Sequence, residues 1–209
     1  MGFNGKLKKC GAFFVVFMLS CGFTLVDDGP VNEKDGRIHL YGYSILAPKD
    51  NNWRLVKNHP RKLLFLKMMS GRTYDVDFIS MENNYHFKSS DSFFNKMRKS
   101  IKESVYRDED KSKNKYLDIK FWHKNIQKAW CIKYYKKMRE YVDYNVTNNE
   151  YVIREFKGYY CLHPKNYKIL VSLKGSVRYP RGERSTFSKS MEEFIESVRF
   201  EDFNEVINK

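Results

Sequence analysis

Two periods of hydrophobic and polar positions alternate along the chain, and their order sets the expected architecture. Residues 38–46 (IHLYGYSIL) are aromatic and β-branched and predict a strand, followed by a turn through Ala47-Pro48 and Asn51-Asn52-Trp53. Leu63 to Met68 is a continuous apolar run and predicts a buried strand. Tyr74, Val76 and Phe78 alternate with Asp75 and Asp77, as a half-exposed strand requires. The period then changes. Phe94, Met97, Ile101 and Val105 form one stripe of a helix that Ser90 or Asp91 can cap. A charged loop, Arg107 to Asn114, leads back to alternation in Leu117, Ile119 and Phe121 against Asp118, Lys120 and Trp122. Two strands bearing cysteines follow, then a buried strand from Tyr167 to Leu173 that ends at Gly175. Met191, Phe194, Ile195 and Val198 fall at i, i+3, i+4 and i+7 of a closing helix, opened by Ser188 or Ser190 and by Glu192-Glu193. Strands, one helix, a run of antiparallel strands and a terminal helix predict an α+β fold. It has an antiparallel sheet of about six to seven strands with two main helices, in a single domain over residues 38–209.

The first residues have a different character. Lys6, Lys8 and Lys9 precede an apolar run from Gly11 to Leu19, then Ser20 and Cys21, which are the parts of an export signal over residues 1–20. The uncharged stretch from Cys10 to Val26 falls short of the roughly 20 residues that span a bilayer comfortably. Met18-Leu19-Ser20-Cys21 resembles the lipobox of bacterial lipoproteins, with Met18 and Leu19 departing from its commonest residues. The resemblance implies cleavage before Cys21, acylation of that cysteine and stable anchoring by several chains. The acidic, weakly patterned residues 21–37 then serve as a tether. Gly22 stands where enterobacterial inner-membrane lipoproteins carry Asp, which implies a lipid-anchored protein of the cell envelope, on the outer membrane and facing the periplasm.

With Cys10 in the signal and Cys21 acylated, Cys131 and Cys161 remain as an even pair in an oxidising compartment, read first as a disulfide. Ile126, Trp130, Ile132 and Tyr134 share one face of their strand, which puts Cys131 on the other. Val152, Phe156, Tyr160 and Leu162 do the same for Cys161. Both thiols are therefore expected on the less apolar sides. The midpoint of the pair is residue 146, inside the turn-like Asn145 to Asn149, so a hairpin there brings the cysteines opposite each other.

Composition sharpens this picture. An aromatic content of 16% excludes a disordered basic tail, and a mean hydropathy of −0.67 excludes a multi-span membrane protein. The 39 Lys+Arg against 25 Asp+Glu give +14, of which +11 remains once the signal's three lysines are removed. The surplus is concentrated in residues 51–72, 113–139 and 164–184. In the second of these, Trp122, Trp130, Tyr134 and Tyr135 interleave with Lys120, Lys124, Lys128 and Lys133. In a cytosolic protein that pattern would suggest nucleic-acid stacking. Export redirects it, away from nucleic acid and toward an anionic envelope component or an acidic protein partner. Arg178, Arg181 and Arg184, around Tyr179-Pro180-Gly182, form a candidate anion-contact loop.

Candidate chemistry is sparse. Asp75 and Asp77 share a strand face, and His163 lies beside Cys161 and Pro164, where a turn histidine next to a disulfide is expected. No HExxH, CxxC, GxSxG or glycine-rich phosphate loop occurs, so no catalytic residue, metal or cofactor is assigned. A second resemblance is carried by Gly42-Tyr43-Ser44-Ile45-Leu46-Ala47-Pro48 with Trp53, by Gly175-Ser176 and by Ser197-Val198-Arg199-Phe200. This outline, over residues 38–200, resembles PsbP-like domains and their nuclear-transport relatives and implies a PsbP-like sandwich without implying an activity. Trp130-Cys131 and Gly158 to Pro164 resemble segments of small bacterial lipoproteins of unassigned role. The expected function is a non-enzymatic, lipid-anchored accessory or binding protein. The alternatives are a periplasmic inhibitor or immunity-type protein with one specific partner, and an envelope hydrolase.

Overall fold

The computed structural model describes residues 33–34, 36–46, 52–108, 114–141, 151–185, 187 and 189–202. The signal, Cys21 and most of the tether lie outside these residues. A small sheet is built from β1 (Glu33–Lys34), β2 (Arg37–Leu40), β3 (Tyr43–Leu46) and β11 (Arg199–Phe200), in that order. A larger antiparallel sheet contains β4 (Arg54–His59), β5 (Lys62–Met69), β6 (Arg72–Glu82), β7 (Asn114–Ile126), β8 (Ala129–Tyr141), β9 (Tyr151–Leu162) and β10 (Ile169–Pro180). Its strand order is β4-β5-β6-β10-β9-β8-β7. Helix α1 (Ser90–Asp108) and helix α2 (Lys189–Glu196) complete an α+β fold.

Two cores result, one on each face of the large sheet. The first lies between the sheets. Ile38, Leu40 and Ile45 of the small sheet meet Leu63, Phe65, Val76, Phe78, Val171 and Leu173, and Met191, Phe194 and Ile195 of α2 close it. Phe194 packs edge-on against Phe65 and Phe78, with ring centres 5.4 and 5.2 Å away. The second is smaller and lies under α1, where Phe93, Met97 and Ile101 pack on Ile132, Tyr134 and Leu162. β8 and β9 are thus covered on both sides. Cys131 and Cys161 lie buried in the first core, and the expectation of a less apolar face is corrected: α1 covers one side while α2 and the small sheet cover the other.

The two cysteines are register partners joined by a disulfide. Every β8–β9 pair, from Trp130↔Leu162 to Tyr141↔Tyr151, is centred on residue 146. The expected turn residues, 145–149, lie outside the described residues.

Other local differences have identifiable causes. Residues 38–46 form a hairpin, because the chain reverses at Tyr41-Gly42 and Gly42 takes φ +86°. β10 continues through Gly175, where a Cβ would come within 2.8 Å of Ile195 Cδ1 and 3.1 Å of Phe187 Cζ. The glycine admits α2 and does not end the strand. Ser89 caps α1 in place of Ser90 or Asp91. Its Oγ accepts from the Ser92 amide (3.2 Å), and Ser92 Oγ accepts from the Ser89 amide (3.1 Å). Phe93 occupies the buried stripe, while Phe94 packs on His123 with ring centres 3.7 Å apart. The apolar run at 63–68 is only alternately buried, and Met68 is 72% exposed.

The small sheet also takes in the end of the predicted tether. Arg37 is buried, and its guanidinium donates to Ser44 Oγ (2.9 Å), to the Ser44 carbonyl (3.0 Å) and to the Ser197 carbonyl. His163 ties the two sheets together. Its Nδ1 accepts from the amides of Lys165 (3.2 Å) and Asn166 (3.0 Å), so the proton sits on Nε2. Nε2 then donates to the carbonyls of Gly42 (2.9 Å) and Glu201 (3.1 Å). Burial lowers the His163 pKa and outweighs the opposing hydrogen bonds to those carbonyls.

Candidate functional site

β7 and β8 meet at a two-residue turn, Gln127-Lys128, with φ of 48° and 69° and no glycine. Left-handed backbone is disfavoured for such residues. Here the Gln127 side chain compensates by holding the segment around β11, donating to the Val198 carbonyl and accepting from the Phe200 amide, each at 3.1 Å. The turn pairs even-numbered residues of β7 with odd-numbered residues of β8: Lys120↔Tyr135, Trp122↔Lys133 and Lys124↔Cys131.

On the α2 side of the sheet this register lines up Lys120, Trp122 and Lys124 on β7 beside Lys133, Tyr135 and Lys137 on β8. Trp122 is 45% exposed between two exposed lysines, Lys120 and Lys124. Lys120 lies 5.8 Å from the Tyr135 ring and Lys133 lies 5.4 Å from the Tyr159 ring, both within cation–π range. Trp130 and Tyr134 go to the other face. Trp130 stacks on Tyr167, and Tyr134 is buried under α1 against Tyr160. The four interleaved aromatics of the sequence are therefore divided two and two, and Lys128 sits in the turn.

Carboxylates hold the inner margin of the strip in place. Burial acts to raise the Glu155 carboxyl, but hydrogen bonds from Ser185, Tyr179 and Lys137 outweigh it and keep the pKa below its ordinary value. Glu196 is lowered first by the Tyr159 hydroxyl, against burial, and then by the Lys133 charge 3.5 Å away. Lys133 and Lys137 are thereby fixed over the core edge, with Lys120 and Lys124 outermost. Lys120 also meets Asp118 at 2.8 Å, a bond exposed to solvent and correspondingly weak. The result is a cationic strip around one indole on the strand that, among the described residues, ends the large sheet, suited to an anionic partner with an apolar component.

The remaining candidates are placed as follows. Arg178 lies within β10, 3.2 Å from Glu140, and Arg181 is exposed in the following turn, 5.1 Å from the Tyr151 ring. Arg184 is exposed beyond them. Arg178 thus belongs to the strand, and the other two to the turn and loop that follow it. Asp75 is met by Arg154 (3.0 Å) and Ser176, and Asp77 by Lys174 (3.2 Å), so cross-strand cations partner both carboxylates. A cleft of about 240 Å³, which the sequence pattern did not signal, opens between Tyr41, Arg61, Ser80, Glu82 and Lys168. Its Arg61 stacks on Tyr41 (4.8 Å) and faces Glu82 at 3.6 Å. Among the described residues no group of three or more His, Cys, Asp or Glu could hold a metal ion. No described helix is long and apolar enough to cross a membrane.

No family model matches the chain, and no curated protein matches it. Among solved structures it is similar to cyanobacterial PsbP (CyanoP) from Synechocystis sp. PCC 6803, at 12% identity and a TM-score of 0.39, covering 83% of this chain and all of that one. It is also similar to the Ran-binding protein Mog1p of Saccharomyces cerevisiae, at 9% identity and a TM-score of 0.41, covering 82% of this chain and 96% of that one. These likenesses are of outline, in the direction that residues 42–53 and 197–200 suggested. With TM-scores below 0.5 they carry no argument about site, activity or partner.

Proposed function

We propose that this protein is a lipid-anchored, non-enzymatic accessory or binding protein of a bacterial cell envelope, held at Cys21, whose contact face is the basic strip around Trp122. The lipobox-like Met18-Leu19-Ser20-Cys21 supports the anchoring, and the cysteine arithmetic agrees with an exported chain. The observation that carries the binding role is the exposed Trp122 set between Lys120 and Lys124 at the sheet margin. Lone surface lysines are commonplace. An exposed indole framed by cations on one strand face is a recognition surface, because it combines apolar contact with charge attraction. The carboxylates of Asp75, Asp77 and Glu155, which are largely buried, and of the more exposed Glu196 have internal partners, which favours a structural role for them over catalysis.

Two measurements test this. A Cys21→Ala chain should remain uncut and leave the membrane fraction, and unchanged membrane behaviour would remove the anchor. Polyglutamate should bind the protein with an affinity that falls as salt rises, and the Lys120→Glu/Lys124→Glu variant should lose that binding. Equal binding by the variant would remove the strip. The reading as an inhibitor or immunity-type protein with one dedicated partner is favoured by the thirteen-residue length of β7, beside which no further strand lies among the described residues.

A further inference from the structure

We propose that β7 is a docking edge for an extended, acidic segment of a partner protein, which adds to the large sheet as an eighth strand. The proposal rests on the strip being the contact face and goes further by assigning the partner's conformation and side-chain pattern.

The two margins of the large sheet are unlike. β4 has six residues, and its pairing with β5 is broken by an irregularity between Leu55 and Lys57. β7 has thirteen residues, and from Asp118 to Ile126 it pairs with β8 in unbroken register. Among the described residues no strand pairs with the other side of β7. The register shift in the β7–β8 pair, between Tyr116 and Asp118, lies toward the other end of the strand from the Gln127-Lys128 turn. A long regular edge is a template for another chain, and proteins commonly guard one with lysines. Here the guards also select the occupant.

A second copy of this protein is disfavoured. An antiparallel β7–β7 pairing centred on Trp122 would set Lys120 of each copy opposite Lys124 of the other, and like charges directly opposite destabilise a ladder. An acidic strand reverses that sign. In an added strand alternate side chains lie on the α2 side, close to those of β7. Carboxylates opposite Lys120 and Lys124 and an apolar residue opposite Trp122 satisfy all three positions. The partner pattern is acid, any residue, apolar, any residue, acid. On the other side the added strand would run beside Ile119, Phe121 and His123, where α1 packs through Phe94 and leaves His123 exposed. Backbone pairing would supply affinity and the alternating side chains specificity.

The probe is a capped peptide of that pattern, with glutamate as the acid, leucine as the apolar residue and threonine between them. It is added to the full chain carrying Cys21→Ala. The expected result is slowed amide hydrogen exchange across residues 118–126, with binding weakened at least about tenfold when alternate peptide nitrogens are methylated at unchanged charge. Peptide that binds while β7 exchange is unchanged, or a methylated peptide that binds equally well, overturns strand addition and leaves the strip as a polyanion contact. Failure of both the peptide and polyglutamate to bind overturns the strip as well. Two further results overturn the acidic-segment proposal: the same protection from anionic vesicles without peptide, or protection that grows with protein concentration alone.

Discussion

β10 and β7 belong to one sheet and have nearly the same length, yet they differ at almost every position. β10 lies between β6 and β9, and eight of its twelve residues are buried, with the first core on one face and the Asp75 and Asp77 ion pairs on the other. β7 has no strand on its outer side among the described residues, and none of its residues is buried. Both obey the same alternation. The difference is where the strand sits, and it separates the residues that hold the fold from those available for recognition. Substitutions at the centre should change stability, and substitutions at the edge should change binding with the fold intact.

The largest expected effect is at the disulfide. Closing a loop across a separation of 30 residues contributes roughly 3–4 kcal/mol in the chain-entropy model. Reduction in denaturant titrations should lower stability by about that amount, and a Cys131→Ala/Cys161→Ala chain by more, since core packing is lost too. A loss under about 1 kcal/mol would mean that the bridge does not secure the centre. Next is Gly158, where a Cβ would meet the Leu173 carbonyl and come within 2.9 Å of the Tyr134 hydroxyl. Gly158→Ala should cost about 2–3 kcal/mol by overpacking, checked by thermal unfolding.

His163 gives a smaller effect with a definite sign. Its pKa is lowered in the folded state from the ordinary 6.5, so the folded chain favours the neutral ring. The stability it contributes is complete above about 6.5 and is lost as pH falls below that value, where the unfolded chain takes up the proton first. Stability should therefore decline on acidification from neutrality, and His163→Gln should flatten that decline while lowering stability at neutral pH. Glu155, lowered from 4.5, adds its own loss only below that value. The smallest stability change is expected at the edge. Lys120→Glu/Lys124→Glu and Trp122→Ala should each stay within about 0.5–1 kcal/mol of the parent. The double lysine variant should nevertheless lose polyglutamate binding. A large drop in stability there would erase the distinction between centre and edge.

Much of the centre was legible from sequence, because antiparallel pairing is arithmetic. Once Cys131 and Cys161 are opposite, residue 146 must be the pivot, and the whole β8–β9 register follows. What failed was assignment of faces. Alternation separates the two sides of a strand but does not say that both are covered, so it predicts the cysteines on the poorer side. The strip was only half legible for a related reason. The Gln127-Lys128 turn exchanges parity between β7 and β8, so Trp122 shares a face with Tyr135 and lies opposite in side from Trp130 and Tyr134. The pattern predicts a strand end at Gly175, whereas the glycine there admits the close approach of α2. The small sheet is not legible as a separate layer, because strands of two to four residues are too short for a period to register.

The bridge between Cys131 and Cys161 has a further consequence for the chain once it is damaged. A single backbone cut anywhere between the two cysteines leaves fragments that remain one covalent molecule, one carrying β7 with its lysines and the other β10. Such a nicked protein would keep its intact mass on a non-reducing gel, apart from one added water, and would separate into two bands only after a reductant is added.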